Sequence, residues 1–231
     1  RIKHLERQLG MRLLDRGPSG SLPTDAGVVV AGWAETILRA AHELEAGLSA
    51  FQAAQAGRLR IVASFTIAEY LLPQWLDRFS RDHPRDSIAL EVANSTTVID
   101  RLRHGAADLG FIETPSELDG LDEAIVGHDE LVTVVAPSHP WATPRTVPVE
   151  ALAATPLVMR EAGSGTRAAL TAALRDLGLG EPSAVLELGS TSAVRAAVVH
   201  GNSPTVISRL AVAAEVAAGQ LVEIDVPGLS V

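Results

Sequence analysis

Arg1-Ile-Lys-His-Leu-Glu-Arg-Gln-Leu-Gly10, then Met11-Arg-Leu-Leu-Asp-Arg-Gly-Pro-Ser-Gly20 and Ser21-Leu-Pro-Thr-Asp-Ala-Gly27, is the stretch from which the rest of the chain can be read. Ile2, Leu5 and Leu9 recur at helical spacing, and Gly10 is suited to stop that helix in a left-handed conformation. Residues 11–15 read as a short strand, Gly17-Pro-Ser-Gly20 as a tight turn, and Ser21-Leu22 as the returning strand. A helix followed by a small hairpin, both rich in arginine, is the pattern of a winged DNA-reading module that begins in mid-helix. Its candidate DNA contacts are Arg1, Lys3, His4, Arg7, Arg12, Arg16 and Ser19.

Charge supports the same reading. Residues 1–20 carry five Lys and Arg against Glu6 and Asp15, a net of +3 in a chain whose total is −9, so the other 211 residues carry −12. A basic end on an acidic body suits a protein tethered to a phosphate backbone, which needs positive charge only where the duplex lies. A solvated, charged helix end would look the same on charge alone. The chain has no cysteine, which excludes disulfides, thiolate metal sites and a cysteine nucleophile. No apolar run reaches membrane-spanning length, so no membrane partner is expected.

Thr24-Asp25 is a helix-start signal, and a helical pattern then runs to about residue 56. Gly27, Ala34, Ala41 and Leu48 form one seven-residue row; Val30, Ile37, Leu44 and Phe51 form a second, offset by three. Such a helix, roughly 45 Å long at about 1.5 Å per residue, needs a partner for its seam. Homodimerisation through Val30, Ala34, Ile37, Ala41, Leu44, Leu48 and Phe51 is the expectation, with Trp33 beside them; packing against its own domain is the alternative.

From Arg58 the pattern changes to apolar strands alternating with amphipathic helices, the signature of parallel α/β units. Strands are expected at 59–63, 88–92 and 109–112, with helices at 71–83 and 95–104 between them. Trp75 and Phe79, on one face of the first of these helices, are expected in the core. Extended stretches at 122–126 and 130–136 lead to a loop holding Pro137, Pro140, Pro144 and Pro148. The pattern then repeats about 96 positions later: Asn94-Ser-Thr-Thr-Val98 aligns with Ser190-Thr-Ser-Ala-Val194, and His104-Gly105 with His200-Gly201. Two similar βαβαβ lobes are therefore expected, the segment around 130–137 crossing between them.

Ligands of open parallel sheets collect beyond the carboxyl ends of the strands. The loops expected there are rich in hydroxyls: Ser64-Phe-Thr66, Asn94-Ser-Thr-Thr97, Glu161-Ala-Gly-Ser-Gly-Thr-Arg167 and Gly189-Ser-Thr-Ser192. Three of them run into helix starts, where unpaired N–H groups and the dipole favour an anion. Any one such loop is accounted for by helix capping; four at equivalent places in two lobes point to a cleft for a small, polar, anionic molecule. The candidate binding residues are Ser64, Thr66, Asn94, Ser95, Thr96, Glu113, Arg160, Ser164, Thr166, Ser190 and Thr191, with Arg160 and Arg167 flanking the Gly163-Ser-Gly165 turn. The seven histidines show no metal-ligand spacing and no nucleophile elbow is present, so no metal, no cofactor and no catalytic residue is assigned. Glu113 and Glu161 could be acid and base across such a cleft, but buried or rim carboxylates are common and nothing singles these out.

Taken in order, these segments resemble the LysR-type transcriptional regulators over essentially the whole chain. The resemblance is carried by Arg1 to Arg16, Leu22-Pro-Thr-Asp-Ala-Gly27, Gly57-Arg-Leu-Arg-Ile61, Leu71-Leu-Pro73, Asp108-Leu-Gly-Phe-Ile112, Ser138-His-Pro140 and Arg160-Glu-Ala-Gly-Ser-Gly-Thr-Arg167. It implies an α/β effector domain of two Rossmann-like lobes, of the type II periplasmic-binding-protein fold, preceded by a long dimerising helix and a partial winged helix-turn-helix. The corresponding divisions are 1–24, 25–57, 58–130 for lobe I and 131–231 for lobe II. The partners implied are double-stranded promoter DNA, a small-molecule effector, a second or further copies of the chain as homodimer or homotetramer, and RNA polymerase, in the cytoplasm. The segments around 160–167 and 189–192 are similar to those of regulators of sulfur and carbon assimilation. Relative to the family pattern, about thirty residues are expected before Arg1 and a returning segment after Val231, and Asn202-Ser203 replaces a Leu-Gly-type pair. A solute-binding protein would share the lobes but not the basic helix and hairpin. An enzyme of the porphobilinogen deaminase kind would need a cysteine to anchor its cofactor.

Overall fold

The structure is a computed structural model that describes residues 2–17, 20–56, 58–113, 118–229 and 231; for 16–17, 42–43, 45–46 and 49–56 it describes the backbone only. Arg1 and Ser19 lie outside the described residues, as do the side chains of Arg16 and Phe51.

Helix α1 (Ile2–Leu9) leads through Gly10, at φ +67°, into a hairpin of β1 (Leu14–Gly17) and β2 (Gly20–Pro23). The first strand begins at Leu14, three residues later than its sequence suggests. The reason is the Glu6 carboxylate, whose Oε1 accepts the amides of Leu13 (2.9 Å) and Leu14 (3.2 Å) and draws the intervening segment back against α1. The helix-start reading at Thr24 is correct. Its hydroxyl accepts the Gly27 amide at 3.0 Å and donates to the Arg12 carbonyl at 2.8 Å, so a single residue caps the next helix and fastens the hairpin. Gly27 is needed there because a Cβ would run into the Leu13 carbonyl. The helix it begins, α2 (Asp25–Ala56), carries its apolar residues outward: Trp33, Ile37 and Leu44 are 67%, 69% and 66% exposed.

Lobe I is the parallel sheet β4–β3–β5, with β3 (Arg58–Ala63) central between β4 (Ser87–Val92) and β5 (Leu109–Phe111). A π-helical turn, Ile67–Leu71, precedes α3 (Leu72–Asp82), and α4 (Ser95–Arg103) returns the chain to β5. Pro73 sits in the first turn of α3, where its missing N–H costs no bond. Ile61, Ala63, Ile67, Ala68 and Leu72 form the lobe's core. Trp75 and Phe79 are not in it. Trp75 is among the exposed large hydrophobics and leans on Phe111 at 5.6 Å, and Phe79 stacks on His83 at 4.5 Å, because this helix face looks past the edge of a three-stranded sheet.

Lobe II departs from the expected copy of lobe I. β6 (Leu131–Val135) lies antiparallel between β9 (Thr205–Ser208) and β10 (Val222–Ile224), while β7 (Leu157–Arg160) and β8 (Ala184–Leu188) pair in parallel. β7 is tied to the segment entering β9 by the Val158 amide on the Pro204 carbonyl (2.9 Å) and the Thr205 hydroxyl on the Val158 carbonyl (2.7 Å). The crossing strand arrives from lobe I and so enters against the direction of its neighbours, a constraint that strand-by-strand periodicity does not carry. The stretch at 122–126 pairs with nothing among the described residues; Ile125 is 83% exposed. Around these strands pack α5 (Val149–Ala154), α6 (Gly165–Asp176), α7 (Thr191–His200) and α8 (Arg209–Ala217), over two clusters centred on Leu152, Leu157 and Leu174 and on Val134, Val194 and Val198. No described helix is long and apolar enough to cross a membrane.

Candidate functional site

The carboxyl ends of β3, β4 and β5 face the carboxyl ends of β7 and β8, and the hydroxyl-rich loops meet there. The Thr66 hydroxyl lies 3.3 Å from the Thr191 hydroxyl, one from each lobe. The Thr96 amide and hydroxyl both reach the Gly163 carbonyl, at 3.2 and 3.3 Å, and the Asn94 amide group reaches the Ala162 carbonyl at 3.4 Å. Gly163, at φ +90°, is what permits this approach: a Cβ there would press on the Asn94 amide and the Thr96 hydroxyl at 3.1–3.2 Å.

The candidate polar side chains divide into two groups. Asn94 and Ser190 are caps: Asn94 Oδ1 accepts the Thr97 amide at 3.0 Å and Ser190 Oγ the Ala193 amide at 3.2 Å. Ser64, Ser95 and Ser164 are different. Each is 2% exposed, and its hydroxyl has no hydrogen-bond partner among the described residues. Ser164 occupies the N-cap position of α6 without using its side chain to cap. Thr66, Thr166 and Thr191 are buried in the same region. A buried hydroxyl with no partner costs about 1–3 kcal/mol, and three of them lie where the two lobes meet.

Arg160 is buried, and its charge is already committed. Nε and Nη2 form a two-pronged pair with Glu161 at 2.8 and 2.9 Å, Nη1 donates to Thr191 Oγ1 at 2.8 Å, and the guanidinium lies 4.7 Å from the centre of the Phe65 ring. Arg167 pairs with Glu187 at 2.6 Å and Glu181 at 3.6 Å, and its Nη1 also donates to the Arg160 carbonyl at 3.3 Å, so it stays beside the turn with its charge paired. The charges of Arg160 and Arg167 are thus both paired within the chain. Glu113, from the end of β5, completes the lining. Burial raises its carboxyl above the ordinary range, while a hydrogen bond from Thr66 pulls it back; its Oε1 is shielded and has no partner.

The sequence reading missed a second inter-lobe contact. Tyr70, carried by the π-helical turn, packs against the core of lobe II, and its phenol oxygen accepts from Arg195 Nη1 at 2.8 Å. Arg195 also donates to the Ala211 carbonyl and pairs with Glu215 at 3.2 Å. Nothing local in the sequence signals this contact, because its partner Arg195 lies 125 residues away. At the other end of the chain, Lys3, His4, Arg7 and Arg12 are exposed on α1 and its exit, with Lys3, His4 and Arg7 within one helical turn of each other.

This geometry can be set beside known proteins. The family profile described as LysR substrate binding domain matches residues 52–231. The chain belongs to the LysR family of transcriptional regulators. An HTH-type transcriptional regulator of Mycobacterium tuberculosis, Rv2282c, is 47% identical over all of this chain and 77% of its own length. The regulator YeiE of Escherichia coli K12 is 35% identical over 98% of this chain and 75% of its own. Among solved structures, the regulatory domain of Synechocystis CcmR in complex with 2-PG is 28% identical, with a TM-score of 0.66 over 74% of this chain and 82% of that one. As a LysR-family effector domain, the two-lobed part has the type II periplasmic-binding-protein fold, and the family is one of ligand-controlled transcriptional regulators.

Proposed function

We propose that this chain is a DNA-binding transcriptional regulator, not an enzyme, that acts in the cytoplasm as a homodimer or homotetramer and is controlled by a small anionic metabolite. The metabolite lies between a first lobe at 58–130 and a second at 131–231. Helix α2, within 25–57, pairs two copies through Val30, Ala34, Ile37, Ala41, Leu44, Leu48 and Phe51, and the segment 1–24 presents Arg1, Lys3, His4, Arg7, Arg12, Arg16 and Ser19 to the duplex. The single observation that carries the effector site is the trio of buried, partnerless hydroxyls, Ser64, Ser95 and Ser164, at strand ends and helix starts of both lobes. Around them stand Thr66, Asn94, Thr96, Glu113, Arg160, Thr166, Ser190 and Thr191. The 2-PG named for CcmR supports a small acid as ligand.

Binding that favours the closed lobes shifts how dimers pair and how their DNA-reading heads are spaced, and so changes contact with RNA polymerase. The test is a thermal-shift panel of organic acids and oxyanions, followed by gel-shift titration of the protein's own upstream DNA with and without each hit. Ser95→Ala or Thr166→Ala is expected to abolish the response to a hit and leave salt-dependent DNA binding intact. No DNA site under any metabolite condition would overturn the proposal. Loss of folding in both variants would return these residues to a structural role. A solute-binding protein accounts for the lobes but leaves the basic helix and hairpin without a purpose.

A further inference from the structure

Resting on the effector reading above, we infer that the cleft holds its anion together with one proton shared between the ligand and Glu113, and so selects oxyanions that carry a proton of their own. Monohydrogen phosphate is the simplest member of that class, and fully deprotonated sulfate is its natural counter-example.

A guanidinium only donates, so Thr191 Oγ1 accepts from Arg160 Nη1 at 2.8 Å. Thr66 Oγ1, from lobe I, lies 3.3 Å from Thr191 Oγ1. The chain thus runs from Arg160 in lobe II to Thr66 in lobe I, beside the Glu113 carboxyl.

Glu113 Oε1 stands outside that chain, shielded from solvent and unpartnered, as do the hydroxyls of Ser64, Ser95 and Ser164. The four atoms do not have the same needs. A serine hydroxyl donates or accepts; an ionised carboxylate oxygen can only accept. A ligand made solely of acceptors satisfies the three serines, but sets its negative oxygen against Oε1. Two oxyanions in a dry site share a proton rather than both remain ionised. The groups around Glu113 do not relieve this. Glu69 and Asp129 are negative, and Arg160, the positive group that faces it, is paired with Glu161. A ligand bearing one O–H satisfies all four atoms and needs no proton from solvent.

The test is calorimetry on the whole chain with inorganic phosphate and with sulfate, at mildly alkaline pH, in two buffers of different ionisation enthalpy. Phosphate is expected to bind at least about tenfold more tightly than sulfate and to take up no proton, whereas sulfate takes up one proton per anion and weakens about tenfold for each further pH unit. Glu113→Gln, whose amide donates, is expected to bind sulfate without proton uptake and to lose the preference for phosphate. The proton count is read on the unaltered protein, so a poorly folding variant leaves the test intact. Equal binding of both anions with no proton exchange would overturn the shared proton and leave the effector cleft standing. Absence of binding by either anion at millimolar concentration, with organic acids still binding, would overturn the oxyanion class. Absence of binding by any acid would remove the cleft itself.

Discussion

Replacing Tyr70 by Phe removes one hydroxyl from the junction of the lobes and nothing else. That hydroxyl accepts from Arg195 Nη1 at 2.8 Å, and a hydrogen bond to a charged group contributes about 1.5–3 kcal/mol. Arg195 keeps its bonds to the Ala211 carbonyl and to Glu215, so the guanidinium is not stranded and the lower end, about 1.5 kcal/mol, applies. If the lobes part as rigid bodies, the opening equilibrium shifts by about tenfold. The readout is hydrogen exchange at the Thr96 amide, which donates across the cleft to the Gly163 carbonyl at 3.2 Å and is released when the lobes part. Its exchange is expected to accelerate about tenfold, while amides inside the β6–β9 ladder, which belong to one lobe, keep their rates. Unchanged exchange at Thr96 would refute the reasoning, because Tyr70 would then be filling space in lobe II without holding the lobes together. Equal acceleration at Thr96 and in the ladder would refute it as well, since that is global destabilisation.

Three further outcomes are expected. Ile37→Asp, on the outward face of α2, is expected to convert the oligomer to monomer by light scattering, with dissociation raised about a hundredfold or more by carboxylates on an apolar seam, and to leave the unfolding temperature of the lobes unchanged. Glu113→Gln is expected to raise the melting temperature at neutral and alkaline pH. The wild-type carboxyl is raised by burial, so its contribution is favourable at low pH and is lost as pH rises through its folded value; the variant's advantage must fade on acidification. Arg60→Met removes the 2.6 Å pair with Asp108, whose carboxyl is held below its ordinary value chiefly by the Arg60 hydrogen bond. That pair contributes about 0.5–1 kcal/mol after solvent screening. The difference in stability should be present at neutral pH and vanish as pH falls through the depressed Asp108 value.

The elements that were legible in the sequence are those whose cause is local. The Thr24 cap, Pro73 in a first helical turn, and the helix start at Ser95 each depend on residues within four positions, and each lies where the spacing predicts. β1 was misread because its start depends on Glu6, seven and eight residues away, capturing the Leu13 and Leu14 amides. Trp75 and Phe79 were expected in the core because periodicity reports an apolar face without saying whether the sheet beneath extends far enough to cover it. The direction of β6 depends on where the chain crosses between lobes, which no period of two or 3.6 records.

What the amino-acid order determined alone is the family pattern, the alternation of strands and helices, and the gathering of serines and threonines at helix starts. All of these follow from short-range backbone needs. Only the tertiary structure decided which of those hydroxyls serve the chain and which remain for a ligand. Ser190 caps its own helix, as Asn94 does with its amide oxygen, while Ser64, Ser95 and Ser164 are fully buried and have no partner among the described residues. The same holds for charge: Arg160 is spent on Glu161 and Thr191, and Arg167 on Glu187 and the Arg160 carbonyl. A cap bond and an open binding group look alike in sequence, because the difference lies in what the opposite lobe brings within 3 Å or so of the oxygen.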